Sequence, residues 1–405
     1  MIGEEPEWVC YDRWGTQLPE GKFAAAVGPK DFAERILPKY GGPKAVDEWR
    51  RLMRRVLPLG EAIFGLPAAA VREDAFAAAT LGLRYFGPLS NVLSRGGGPK
   101  LSGPFKDLLD EEGIRDPFIL RWLDMICFLL QGTTTGEAPT TLMAYMLADF
   151  YAEGSTLDYP VGGSKGIVDA LARGIEKHNG EIRTRCRVDR IIVENDRAVG
   201  VVARGLEIRA PVVACNADPW TARTLAPELA GYLDSLLPEP CPSFLHLHLG
   251  IDARGIDESI PPQWASLADW DVKKPRNLAL VSVASKLDPT LAPPGKHVVH
   301  AYVPATEPFD PWLDSSSDYQ LAKARAVDVL WRAIEAYIPD VRARVQLQFA
   351  ATPLTHRRFL NRHRGTYGAF LKAPNQLMGH KTPISGLFLC GDSTFPGIGA
   401  NTVEV

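Results

Sequence analysis

Gly386-Leu387-Phe388-Leu389-Cys390-Gly391-Asp392-Ser393-Thr394-Phe395-Pro396-Gly397-Ile398-Gly399-Ala400 is the stretch of this 405-residue chain whose reading decides the fold. Four apolar residues, Leu387 to Cys390, form the pattern of a short buried strand. Gly391-Asp392 follows at the strand tip, where a carboxylate can leave the sheet and meet a hydroxyl-rich ligand. Gly397 and Gly399 then open what the pattern predicts as a helix. Without side chains, they let backbone amides at that helix start approach an electron-rich group closely, and a flat heterocycle fits the description. Taken alone, so short a pattern also fits a tight turn before a core helix.

A second block works with the first. Tyr159-Pro160-Val161-Gly162-Gly163-Ser164-Lys165-Gly166 combines a glycine turn with a helix start, and Ser164 can cap. Ile167, Val168, Leu171 and Ile175 recur with helical spacing until Asn179-Gly180 stops the helix. Strands are then expected at Glu181 to Arg183, Val188 to Glu194, Ala198 to Val202, Glu207 to Ala210 and Val212 to Cys215, with a turn at Asn195-Asp196. The series ends on Asn216-Ala217-Asp218-Pro219. The spacing of a Walker loop is absent, so the block does not predict nucleoside triphosphate binding.

The succession of glycine turn, helix, glycine stop, strand meander and Asn-Ala, followed much later by the Gly391-Asp392 string, resembles the phytoene desaturase and carotenoid isomerase family of FAD enzymes. The resemblance implies that Asp392, after Gly391, binds the ribityl chain and that Gly397, Gly399 and Ala400 face the flavin pyrimidine. It also implies that Val188 meets the adenine through its backbone and that Pro160, Gly162 and Gly163 lie close to the flavin ring. The implied fold is α/β, of the amine oxidase and phytoene desaturase type, with an α+β substrate domain beside a Rossmann-like FAD/NAD(P)-binding domain. That second domain is expected to be incomplete. Such proteins open with a strand, a G-x-G-x-x-G turn and a helix that receives the pyrophosphate, and this chain starts instead on Trp8 to Ala26, read as two short strands joined by a turn. Gly96-Gly97-Gly98-Pro99 is no substitute, since no strand leads into it and Pro99 follows directly. The expectation is a fragment, or a protein that has lost half its cofactor site, with the final helix also cut short after Val405.

Four segments follow from this reading. Residues 1–157 form the first part of a substrate or membrane-facing domain, 158–219 a FAD-binding segment, 220–382 the second part of the substrate domain, and 383–405 the C-terminal FAD-binding segment. In the first, Asp31 is placed to cap a short helix and Pro43 to start a second that runs toward Val56, with Arg50, Arg51, Arg54 and Arg55 on a solvated face. Leu66 to Leu93 is read as helical. Phe118 to Leu130 is apolar almost all round, interrupted by Arg121 and Asp124 at a spacing that allows pairing, and is read as a core helix in preference to a tunnel lining. Pro139 starts another helix. In the third segment one long helix is expected over Tyr319 to Tyr337.

Composition narrows the function classes. Formal net charge is −3 from 45 basic and 48 acidic residues, which gives no argument for nucleic acid as a partner. The six cysteines are scattered without paired spacing and fit structural thiols in a reducing compartment. No apolar run reaches the roughly 18 residues of a spanning helix. His246 and His248 share a strand face, but two imidazoles alone make an incomplete metal site, so they are read as structural and no metal is expected.

Three further strings narrow the resemblance to plant and cyanobacterial prolycopene isomerases. They are Pro242 to Gly250, Leu287 to Gly295, and Thr352 to Phe359 with Gly365-Thr366-Tyr367-Gly368. Arg358 and Tyr367 are candidate catalytic residues because they fall inside these strings. The resemblance implies cis-trans isomerisation of a poly-cis polyene such as prolycopene, with reduced FAD, in a plastid, with peripheral membrane contact. Protonating the polyene would spread positive charge along the chain and lower the bond order, and a reduced flavin nearby would stabilise that charge. The rivals are a redox flavoenzyme of the same fold, a carotene desaturase or retinol saturase, and a non-catalytic carotenoid carrier.

Overall fold

Alternation in Ser243–Asp252 sets up the larger sheet: Leu245, Leu247, Leu249 and Ile251 are buried on one face, while His246 and His248 point to the other. In the computed structural model, which describes residues 3–64, 86–87, 90, 94, 103–236, 240–313, 318–366 and 378–394, contacts divide the chain into two units. The first comprises Met1–Val27, Gly154–Cys186 and Ser243–His356, and the second Gly28–Glu153, Arg187–Pro242 and Arg357–Val405.

Fourteen strands are described. In chain order they are β1 (Trp8–Tyr11), β2 (Arg13–Leu18), β3 (Gly21–Ala26), β4 (Leu157–Pro160), β5 (Val188–Glu194), β6 (Arg197–Ala203) and β7 (Leu206–Arg209). Then come β8 (Val213–Cys215), β9 (Ser243–Asp252), β10 (Gln263–Leu267), β11 (Leu278–Ser282), β12 (Lys296–Glu307), β13 (Val345–Ala351) and β14 (Leu387–Leu389).

The first unit is built on a seven-stranded sheet in the order β13-β9-β12-β11-β10-β2-β3, antiparallel except where β10 meets β2. Its apolar face packs Leu245, Leu247, Val281, Val299 and Val303 against Leu330, Trp331 and Ile334 of the helix Asp328–Glu335. Trp264 donates its indole N–H to the Ala333 carbonyl at 2.8 Å, so this large core side chain is also hydrogen-bonded. The expected single helix over Tyr319 to Tyr337 is two helices, Tyr319–Ala326 and Asp328–Glu335, parted at Val327. The amides of Leu330 and Trp331 both bond the Val327 carbonyl, which lets the second helix bury its apolar stripe while the first buries only Ala326. β1 pairs with β4 in a separate ribbon, so the opening residues form three strands rather than two.

The second unit holds the helices Ala45–Phe64, Phe105–Glu111, Pro117–Gln131 and Thr140–Tyr151. Phe32, Trp49, Trp122 and Tyr151 cluster between them, with centroids of 4.5 Å for Phe32 and Trp49 and 4.7 Å for Phe32 and Trp122. Asp116 caps Pro117–Gln131 through the amides of Phe118 and Ile119, and left-handed Gly132 ends it. Asp124, expected to face Arg121, accepts from the amide and hydroxyl of Thr135. Asp31 does not cap: Arg35 one turn on holds its carboxylate at 2.8 Å through two nitrogens.

The meander β5-β6-β7 forms as expected, with Asn195 and Asp196 at φ +50° and +58° in the β5–β6 turn. Glu181 to Arg183 is not a strand: the two end residues pair with each other as ions at 2.7 Å. Ser164 does not cap either, since Gly163 occupies the cap position of Ser164–Lys177 at φ +66°. Val168, Leu171 and Ile175 on that helix are exposed. No helix among the described residues is long and apolar enough to cross a membrane.

Candidate functional site

Parallel pairing of β14 with β8 sets Leu389 beside Cys215, and the Cys390 amide continues the ladder to the Cys215 carbonyl at 3.0 Å. The residues that follow each strand are therefore neighbours, which brings the Asn216 end of the meander block to the Gly391-Asp392 turn within the second unit. Gly391 has φ +105°, and a Cβ there would lie 2.3 Å from Asn216 Oδ1. Only glycine fits. Asp392 leaves this turn into a two-pronged ion pair with Arg362, Nη1 to Oδ1 at 2.9 Å and Nη2 to Oδ2 at 2.8 Å.

Arg362 is also part of the wall of a cavity of about 930 Å³ within the same unit. Arg187, Val188 and Asp189 line it from the start of β5, Asn216 and Trp220 from beyond β8, and Arg357, Arg358, Arg362 and Arg364 from the other side. Five guanidinium groups thus face the cavity against one carboxylate, a lining suited to an anion with several oxygens. The wall is fixed by Asp218, which is buried and accepts from the Thr221 amide at the start of the helix Pro219–Leu225 and from the His363 amide, both at 2.7 Å. His363 then stacks on Trp220 with centroids 5.1 Å apart, and burial lowers its pKa. This arrangement can grip a phosphate-bearing ligand and present it with a carboxylate beyond Arg362.

The Pro160-to-Gly163 turn belongs to the first unit. Gly162 and Gly163 have φ of +82° and +66°, so both glycines are needed for the path. The Gly162 amide donates to Asp288 Oδ2 at 2.6 Å. Asp288 also accepts from the amide and hydroxyl of Thr290, and these bonds hold its carboxyl below the usual range.

On the polar face of the large sheet, His248 on β9 is the cross-strand partner of His300 on β12, and their rings stack at 4.2 Å and 3°. His246 Nδ1 lies 2.9 Å from His300 Nε2, and His246 Nε2 lies 2.9 Å from Nε2 of His356, which comes from the helix Pro353–Leu360. Burial, reinforced by neighbouring imidazoles, drives the pKa of His246 down to about 2, and burial lowers that of His300 to about 4. These rings are neutral at pH 7. The expectation of a two-imidazole, incomplete set is corrected here: the register supplies a third ring, and nitrogens of His246, His248 and His300 all lie within 4.8 Å of one another.

A family model for flavin containing amine oxidoreductases matches residues 105–403. The chain belongs to that family. Among its relatives, the chloroplastic prolycopene isomerase of Daucus carota is 33% identical over 309 residues, covering 72% of this chain and 49% of the relative. An all-trans-retinol 13,14-reductase of Danio rerio is 26% identical, covering 62% and 48%. The chain spans about half the length of the curated relatives it matches. Two solved structures share the fold. An oxidoreductase from Methanosarcina mazei has a TM-score of 0.63 at 18% identity, covering 99% of this chain and 81% of that one. Cyclohexylamine oxidase from Brevibacterium oxydans has 0.55 at 14%, covering 100% and 80%. The amine oxidase fold expected from the motifs is thus the fold of this chain.

Of the residues named from sequence, Val188, Arg358, Gly391 and Asp392 fall in the second unit, the first two lining its cavity. Pro160, Gly162 and Gly163 fall in the first. Tyr367, Gly397, Gly399 and Ala400 lie outside the described residues, as do the Gly96 loop and most of Leu66 to Leu93. His356, which with Arg357 and Arg358 the sequence offered as an acid or cationic group or as part of an exposed basic loop, joins the histidine cluster instead, while Arg362, Asp288 and His300 were not singled out as site partners. A signal existed for Arg362, since Arg357, Arg358, Arg362 and Arg364 crowd eight residues.

Proposed function

We propose that this protein is a flavoenzyme of carotenoid metabolism that isomerises a poly-cis polyene, with FAD held in the second unit. The observation that carries the reading is the arginine-lined cavity beside the Gly391-Asp392 turn. Fit is testable on the residues present. A pyrophosphate needs fixed cations, and Arg187, Arg358 and Arg364 line the wall. A ribityl chain needs hydroxyl acceptors. Arg362 takes one lone pair on each Asp392 oxygen, which leaves others for hydroxyl donors. Val188 lies in the same wall, as an adenine contact requires. The volume suits a large cofactor.

Reduced flavin, when bound, supplies electron density that stabilises positive charge on a conjugated chain. The chain's own groups do the holding: arginines fix the phosphate end, Asp392 orients the sugar alcohol, and Asn216 against Gly391 keeps the two strand ends in register. Arg358, expected at the chemistry, serves better as an anion ligand, because a guanidinium does not release its proton near pH 7. In this proposal the cofactor is carried by the parts of 158–219 and 383–405 that fall in the second unit, joined by Arg357 to Arg364, which the sequence reading places in the substrate segment 220–382. The plastid location follows the chloroplastic relatives.

The relatives include a 4,4'-diapophytoene desaturase and retinol reductases, so a redox reaction on the same polyene class is the second reading. Product mass separates them. With reduced FAD and prolycopene, the product is expected to keep the substrate's mass and change its retention; a product two hydrogens lighter or heavier would replace isomerisation with desaturation or saturation.

A further inference from the structure

The polar face of the large sheet carries a cluster the flavin reading does not use. His246 and His248 project from one face of β9 because they are two residues apart, and antiparallel register puts His300 of β12 directly opposite His248. Three rings from two strands therefore converge without any loop to place them. His246 Nδ1 and His300 Nε2 face each other 2.9 Å apart, His248 stacks its ring on that of His300, and one nitrogen from each of the three rings falls within 4.8 Å of the others. Two nitrogens about 2.05 Å from a tetrahedral ion lie roughly 3.3 Å apart, so an ion needs a widening of about 0.4 Å at the His246–His300 pair and a turn of the His248 ring out of its stack on His300. His248 is exposed and gives it a route. The fourth ring sits one step back. His356 Nε2 meets His246 Nε2 at 2.9 Å, on the side of the ring away from His300.

We propose that His246, His248 and His300 bind one divalent transition-metal ion of borderline softness, such as Zn²⁺, Co²⁺ or Ni²⁺, with water in the open position. Three imidazoles and no oxygen ligand select this class over Mg²⁺ and Ca²⁺, which take oxygen donors. His356 is a positioning residue: by accepting a hydrogen bond from His246 Nε2–H it leaves Nδ1 as the lone-pair atom that faces the ion. The ion takes the place of the hydrogen bond between His246 and His300, and the proton on His300 Nε2 passes through solvent to Nδ1 of the same ring, which stays neutral. Three protein nitrogens with an open site is the arrangement of metal centres that activate water rather than of closed structural ones.

The test uses the purified chain, stripped with a chelator and titrated with Co²⁺, read as difference spectra in the visible d–d region. One tetrahedral Co²⁺ per chain, displaced by Zn²⁺, is expected. His248→Phe, at an exposed strand position where an aromatic residue is tolerated, should weaken binding at least tenfold with an unchanged melting temperature. His300→Ala should do the same and be checked for folding by circular dichroism. His356→Gln should weaken binding several-fold and keep the stoichiometry. His297→Ala, which removes the partner of Ser285 and not a member of the cluster, should leave binding unchanged. No Co²⁺ bands in the wild type, or equal uptake by wild type and His248→Phe, would reduce the cluster to an imidazole ladder. Neither outcome depends on flavin, so failure here leaves the cofactor reading standing.

Discussion

Two glycine turns, one in each unit, follow opposite plans. At Gly391 the turn is closed by packing: β8 and β14 fix the register, Asn216 fills the space a side chain would need, and the carboxylate of Asp392 is left to pair with Arg362 at the cavity wall. At Gly162 the turn is closed by a charge: the carboxylate of Asp288, 126 residues away, takes the backbone amide, and a Cβ added at Gly162 would meet nothing nearer than the Gly166 amide nitrogen at 3.7 Å. The first turn keeps its acid for a ligand and depends on steric fit. The second uses an acid for itself and depends on a hydrogen bond. A glycine with positive φ thus marks a turn that must be glycine but does not say what holds it.

Four substitutions sharpen this contrast, in falling order of effect. Gly391→Ala forces a Cβ into Asn216 Oδ1 and should cost about 3 kcal/mol by thermal or urea unfolding, through overpacking and left-handed strain together; retention of wild-type stability would show that the two strand ends are not packed as described. Asp392→Ala leaves Arg362 without its partner and removes a hydroxyl acceptor, so flavin retained by the purified protein should fall roughly thirtyfold, read from visible absorbance against protein. Gly162→Ala meets only strain, and a loss of about 1–2 kcal/mol is expected; a loss as large as that at Gly391 would erase the distinction between the turns. Asp288→Asn acts through pH. The carboxyl is held below its unfolded value of 3.8, so its stabilising effect is complete above about pH 4 and is lost as pH falls through the folded value. Wild-type melting temperature should drop below pH 4 by more than that of the variant, and parallel curves would remove Asp288 from the account.

What the residues told in advance was what adjacency carries. Leu387 to Leu389 announced a strand, Asn195-Asp196 a hairpin and Gly391 a turn because each is a local event of a few residues. Partners brought together by the fold stayed hidden. Arg362 reaches Asp392 over 30 positions, and His246 reaches His300 over 54 and His356 over 110. Strand register sets the His246–His300 distance, and register cannot be read from spacing within one strand. The helix Ser164–Lys177 failed in another way: its 3.6-residue period was real, yet Val168, Leu171 and Ile175 are exposed, so periodicity predicted the element and not its burial. At Tyr319 to Tyr337 a single periodic run hid a break at Val327, where no proline or glycine gave warning.

The central claim is that the residues after β8 and those after β14 meet one flavin dinucleotide. Hydrogen exchange with and without added FAD measures this directly, segment by segment. Slower exchange at both 216–225 and 390–394 on adding FAD, with β10 and β11 unchanged, is the predicted result. FAD bound with no protection at either segment, or protection confined to residues outside them, would contradict it.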